Sequence, residues 1–160
     1  MKIIATMISI TLLSTLVSAN EPMMNSQQFD TGWKPSKKTE YKNTKIAVHL
    51  NSLPNEDQMK KMLMSFGHMR NADQTVDVKV VVHGPAMDLF VKSKLSEAAK
   101  TFLDKSRAFG VQYLICHNSM TTQKVAISEL YEVKNEDIIP AAILELANLQ
   151  KKGFAYIKFY

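Results

Sequence analysis

The chain has 160 residues, a net charge of +5 from 20 basic and 15 acidic side chains, and one cysteine. A single cysteine excludes an internal disulfide framework, and lysines that occur singly or in pairs (Lys37-Lys38, Lys60-Lys61, Lys151-Lys152) lack the basic stripe with interleaved aromatics of a nucleic-acid binder. No Gly-rich phosphate loop, His-Glu-x-x-His or Cys-x-x-Cys motif is present, so neither a nucleotide cofactor nor a resident metal is expected.

Met1-Lys2 is a short positive start, followed by Ile3 to Val17, which is almost entirely apolar or hydroxylated, and by the small residues of Val17-Ser18-Ala19. This order predicts a cleavable signal peptide over residues 1–19 and a mature N-terminus at Asn20. The apolar run is about 15 residues, short of the roughly 20 that span a bilayer. The expectation is an exported, periplasmic protein with no membrane attachment after cleavage. The remaining chain, about 140 residues, is the size of one ordinary domain. Residues 20–43 are polar and aperiodic, with Pro22, Gly32, Pro35 and isolated aromatics, and read as an extended arm. Met23-Met24 within it is too little to make a soft-metal site.

Strand and helix then alternate over residues 44–160. Thr44 to Leu50 reads as a strand, and Pro54 with Glu56 and Asp57 as a helix start. Met59, Met62, Leu63 and Phe66 follow at helical spacing. Val76 to His83 is a β-branched second strand closed by Gly84-Pro85, and Met87, Leu89 and Phe90 beyond it are candidates for an exposed apolar patch. Leu95, Ala98, Ala99, Phe102 and Leu103 form a helical stripe, with Lys105 and Arg107 in its last turn and Gly110 as its stop. Val111 to Cys116 is the third strand, and His117-Asn118-Ser119 opens a helical region expected to reach Tyr131. Val133 to Ile138 reads as a short fourth strand. Pro140 is expected to start a last helix with Ile143, Leu144, Leu146, Ala147 and Leu149 inward, and Phe154 to Phe159 is the final strand. The order predicts a three-layer α/β/α fold with a mainly parallel five-stranded sheet. Right-handed crossovers place every strand's C-terminal end on one edge, where ligands of such sheets bind.

Three strands end there in polar groups: His49 and Asn51, then His83, then Cys116-His117-Asn118-Ser119. His49 and His83 each have an ordinary structural use in a strand or turn. Cys116 lies between a buried strand and a helix start, where backbone N–H groups and the helix dipole favour thiolate. His117 would add positive charge. The alternative is a thiol that points into the core as a small hydrophobe.

Val80-Val81-Val82-His83-Gly84-Pro85-Ala86-Met87-Asp88-Leu89, the stretch from Gly110 to Met120 and the stretch from Leu146 to Lys158 together resemble the DsrE/DsrF-like family, in particular its exported members. The resemblance covers roughly Thr44 to Tyr160. It implies a three-layer domain with a five-stranded parallel sheet, assembled as a homotrimer or homohexamer. It also implies that Cys116, which matches the family's cysteine at the end of the third strand, carries sulfur as a persulfide between a sulfur donor and an acceptor thiol protein. Many relatives have glycine after that cysteine, whereas this chain has His117. Two readings follow. In the first, Cys116 is the sulfur-carrying nucleophile, with His83, His117 and Asn118 around it. In the second, the same edge is a non-catalytic, oligomeric module that binds a small ligand or metal.

Overall fold

The structure, a computed structural model, describes Gly32 and residues 40–160. The chain divides into two units, Met1–Lys34 and Pro35–Tyr160, and the description concerns the second. The signal peptide expected over residues 1–19, and the arm expected over 20–43 apart from Gly32 and its last four residues, lie outside the described residues.

Five strands form one sheet: β1 (Lys45–Leu50), β2 (Asp77–Val82), β3 (Val111–Cys116), β4 (Ile138–Ile139) and β5 (Ala155–Lys158). Their order is β4-β3-β2-β1-β5, and every pairing is parallel. Four α-helices connect them: α1 (Glu56–Ala72), α2 (Glu97–Ala108), α3 (His117–Gln123) and α4 (Ala142–Lys151). From β1 to β4 the chain steps in one direction across the sheet, so right-handed crossovers put α1 and α2 on one face. The return from β4 to β5 runs the other way and carries α4 to the opposite face. The result is the three-layer α/β/α arrangement read from the sequence.

Strand alternation sorts the residues between the two faces. Ile46, Val48 and Leu50, Val78, Val80 and Val82, and Val111, Tyr113 and Ile115 pack into the larger core with Met59, Met62, Phe66, Phe102 and Leu103 from α1 and α2. The intervening residues Ala47, Val81, Leu114 and Cys116 meet Ala142, Leu146 and Leu149 of α4, with Ile139 and Phe154. Among the described residues a single helix therefore covers this second face. At its N-terminal edge a charged side chain sits on a central strand: Lys79 contacts Asp77 and Gln112 and lies over the Phe154 ring.

Several local expectations are corrected. Pro54 precedes the first helix instead of opening it. Asn55 is the N-cap, its side chain accepting from Gln58 N–H while the Gln58 side chain accepts from Asn55 N–H. Likewise Pro140 lies before Ala141, the N-cap of α4. The third helix stops at Gln123, because Lys124 turns left-handed at φ 55° and ends it; only an isolated 3-10 turn at Ile127–Glu129 follows before Tyr131. The fourth strand is confined to Ile138–Ile139, since Asn135–Asp137 forms another 3-10 turn. On α4, Ala142, Leu146 and Leu149 are buried, whereas Ala147 is exposed and Ile143 and Leu144 are 61% and 73% exposed. Met87, Leu89 and Phe90 form no surface patch. All three are buried, because Gly84–Leu89 winds as a 3-10 segment that returns them to the core, where the Phe90 ring packs edge-on to Tyr113.

Candidate functional site

Cys116 is the last residue of β3 and the N-cap of α3, with extended backbone at φ −75°, ψ 116°. Strand alternation aims its side chain at the α4 face, where it is 4% exposed and packs beside Ala142. Burial pushes the thiol's pKa up. Hydrogen bonds from the backbone N–H groups of Ser119, Ala142 and Asn118, together with the Ser119 hydroxyl, pull it down further, and the net effect leaves it below the ordinary cysteine value. Two elements supply these donors. Asn118 and Ser119 belong to the opening turn of α3, and Ala142 is the first residue of α4, where N–H groups have no intrahelical acceptor.

The Ser119 hydroxyl is itself oriented. Its oxygen accepts from Gly84 N–H at 3.0 Å. Gln123 Nε2 donates to the Gly84 carbonyl at 2.8 Å, so α3 holds both sides of Gly84. Gly84 turns at φ +57°, a conformation that favours glycine, and this turn delivers His83 to the same cleft. The cleft has a volume of about 390 Å³ and is lined by His83, Cys116, Asn118, Ser119, Gln123 and Ile143, among others.

Strand parity also places His49 and Tyr156 on the α4 face. His49 alternates with Ala47, and Tyr156 stands beside Ala47 in the parallel register. His49 Nε2 lies 2.7 Å from His83 Nε2, and His49 Nδ1 lies 2.7 Å from the Tyr156 hydroxyl. The imidazole planes are 11° apart with centroids at 4.9 Å. A centroid separation well beyond the N–N distance shows two nearly coplanar rings meeting edge to edge, not stacked faces. Burial lowers the pKa of both histidines, and for His49 the charges of His83 and Lys158 lower it further. Burial thus disfavours the charged form of both rings, and in a pair of neutral rings a single proton occupies the Nε2–Nε2 bond.

Of the residues singled out from sequence, Cys116, His83 and Asn118 share this cleft. His117 does not reach it. Its exposed side chain lines a separate depression of about 540 Å³ with Met120, Thr121, Lys124 and Ile138. Ser119 was legible as a backbone donor, but its hydroxyl was not. Ala142 N–H arrives from the far end of the chain, which no local pattern announces. Tyr156 and the His49–His83 pair were accessible to a count of strand parity from Ala47 and Val81. Among the described residues, no group of three His, Cys, Asp or Glu side chains is placed to hold a metal. A larger depression, about 520 Å³, opens beside Arg107 and the start of β3. There the guanidinium donates to the carbonyls of Tyr131 and Glu132 and lies over the Phe90, Tyr113 and Tyr131 rings, which gives it a structural role.

A family model described as the DsrE/DsrF-like family matches residues 44–159. Among solved structures, the fold is similar to MTH1491, a protein of unknown function from Methanobacterium thermoautotrophicum. The TM-score is 0.61 at 15% identity, covering 72% of this chain and 98% of that one. It is also similar to the ychN protein from E. coli, with a TM-score of 0.56 at 14% identity, covering 72% of this chain and 99% of that one. At these identities the likeness is one of fold. No curated protein matches the sequence.

Proposed function

The chain belongs to the DsrE/DsrF-like family, and from that premise we propose that it is a thiol-based sulfur carrier which holds sulfur as a persulfide on Cys116. The observation that carries the reading is the position of one buried sulfur at the N-cap of α3, beside the first residue of α4 and lining a cleft. Three backbone N–H groups and one hydroxyl, from two helices, favour an anion at a position open to a cleft. Thiolate is the form of cysteine that attacks sulfane sulfur. Asn118 contributes through its backbone N–H, and His83 is the side chain in the cleft able to move a proton. His117 has no part in this step.

In this reading the carrier takes sulfur from a low-molecular-weight or protein donor and passes it to an acceptor thiol, and it works as a homo-oligomer exported through a cleavable signal peptide. N-terminal sequencing of exported protein should begin at Asn20, and retention of Met1 would overturn the export reading. The carrier reading is tested by intact mass after incubation with polysulfide. The native protein should gain about 32 Da, one sulfur atom, localised to Cys116, and the Cys116→Ser variant should gain nothing. An unmodified native protein would overturn it.

A further inference from the structure

We propose that Tyr156, His49 and His83 form a proton relay between solvent and the Cys116 cleft, and that its two tautomeric states serve the two halves of sulfur transfer; the proposal rests on the carrier reading. The chain of contacts is continuous. Tyr156 is 44% exposed, its hydroxyl is 2.7 Å from His49 Nδ1, and His49 Nε2 is 2.7 Å from His83 Nε2. The Nδ1 of His83 has no hydrogen-bond partner among the described residues, and the ring lines the cleft beside Cys116. Three groups from β5, β1 and the turn after β2 thus connect the surface to the site.

The single proton between the two Nε2 atoms allows two neutral arrangements. In the first, Tyr156 O–H donates to His49 Nδ1, His49 Nε2–H donates to His83 Nε2, and His83 presents Nδ1–H to the cleft. In the second, every bond is reversed. His83 Nε2–H donates to His49, His49 Nδ1–H donates to the Tyr156 oxygen, and His83 presents a bare Nδ1. Moving from the first to the second delivers one proton to the cleft and takes one from water at Tyr156, and no residue ends charged.

The half-reactions need these two states in turn. In loading, the Cys116 thiolate attacks the outer sulfur of a persulfide RS–SH. The new S–S bond forms from the thiolate's electron pair, and the old one breaks with its pair on the leaving RS⁻. His83 Nδ1–H protonates that thiolate, so Cys116–S⁻, RSSH and one proton become Cys116–SSH and RSH. In unloading, an acceptor thiol R′SH gives its proton to the bare His83 Nδ1. R′S⁻ takes the outer sulfur as R′SSH, Cys116 departs as thiolate, and the relay returns to its first state.

The test uses the full-length mature protein and the Tyr156→Phe variant, which removes one exposed hydroxyl. Single-turnover sulfur loading at pH 7 is followed with two donors: an alkyl persulfide, whose leaving thiolate is basic and needs a proton, and an aryl persulfide, whose leaving thiolate does not. The expected result is loading about a hundredfold slower in the variant with the alkyl donor, the lower end of general-acid effects, and unchanged with the aryl donor. Iodoacetamide alkylation of Cys116, which needs no proton delivery, should be equal in both proteins. Equal loading of variant and native protein with both donors, or equal slowing with both, would overturn the relay alone. Native protein that loads from neither donor would overturn the carrier reading and the relay with it. Independently of activity, imidazole nitrogen NMR should show scalar coupling between the Nε2 atoms of His49 and His83, and its absence would overturn the shared proton.

Discussion

A protonated thiol is a weak donor and a weak acceptor, so a buried structural cysteine has little use for several strong N–H partners. Cys116 has them from Asn118, Ser119 and Ala142, with the Ser119 hydroxyl in addition, and these gain most when the sulfur is an anion. The consequence is measurable as a rate. Alkylation of Cys116 should reach half its maximum at a pH below about 8.5, the midpoint of a free cysteine. The Ser119→Ala variant loses one donor to the anion, so its midpoint should move upward. An unchanged profile would show that the hydroxyl serves Gly84 and not the sulfur. The same donors bear on Cys116→Ser. A serine oxygen would meet N–H groups already in place, so the folded state should lose less than about 1 kcal/mol, well short of the cost of an unpaired buried hydroxyl. Thermal melting checks this, and a large fall would mark Cys116 as a packing residue of the α4 face.

At the scale of the elements, the opposite edge of the sheet is tied by one carboxylate. Asp73 caps the end of α1, and its oxygens accept from Thr44 N–H before β1, and from the backbone N–H and hydroxyl of Thr75 before β2. The Thr75 hydroxyl contributes most. It and the other donors outweigh burial, which alone would raise the pKa, and hold the carboxyl well below the usual carboxylate range. A carboxylate with a depressed folded pKa stabilises the fold above its unfolded pKa, near 3.9, and that contribution is lost as pH falls through the folded value. Asp73→Asn should therefore lower the melting temperature at pH 7, and the gap from native protein should narrow as pH falls below about 4. A gap that did not vary with pH would show that the charge is immaterial. Gly110, which stops α2 at φ +82°, makes a second junction, because a Cβ there would collide with the Arg70 guanidinium that is bonded to the Phe109 and Gln74 carbonyls. Gly110→Ala should cost about 1–2 kcal/mol from the left-handed backbone, with the displaced Arg70 adding to it. Denaturant unfolding measures that cost. Gly110 was legible as a stop because glycine is the residue that turns left-handed without penalty. Lys124 was not, because nothing in its chemistry announces φ 55°, and so the third helix was read too long. The fourth strand was overextended for a related reason. Val133 and Ile138 are strand-like residues, but between them Asp137 turns back to accept from Lys134 N–H and closes a 3-10 turn.

At the scale of the domain, the strand order β4-β3-β2-β1-β5 leaves one face with two long helices and the other, among the described residues, with α4 alone. Alternation of β and α along the chain was enough to read the layers, and the positions of Cys116 and His83 at strand ends put them on one edge. The same reading cannot say how much of a face one helix covers. That is why Ile143 and Leu144 were assigned inward while Met87, Leu89 and Phe90 were assigned to the surface, and the structure reverses both. The reversal moves the apolar surface to the N-terminal turn of α4, where Ile143 also lines the cleft that holds Cys116. Two large aliphatic side chains at 61% and 73% exposure lose roughly 1–2 kcal/mol each of burial energy if they remain in water. A second copy of the chain seated there would recover it and narrow the cleft mouth at the same time. Light scattering should accordingly give a multiple of the chain's mass, about three being what the resemblance to the family implies, in keeping with closed symmetric assembly. The Ile143→Glu, Leu144→Glu double variant should dissociate toward monomer. Because both side chains lie outside the core, its far-ultraviolet spectrum should stay native. A native protein that is monomeric across micromolar concentrations would leave α4 uncovered and overturn the assembly. An oligomer that persists undiminished in the double variant would place the interface on another surface.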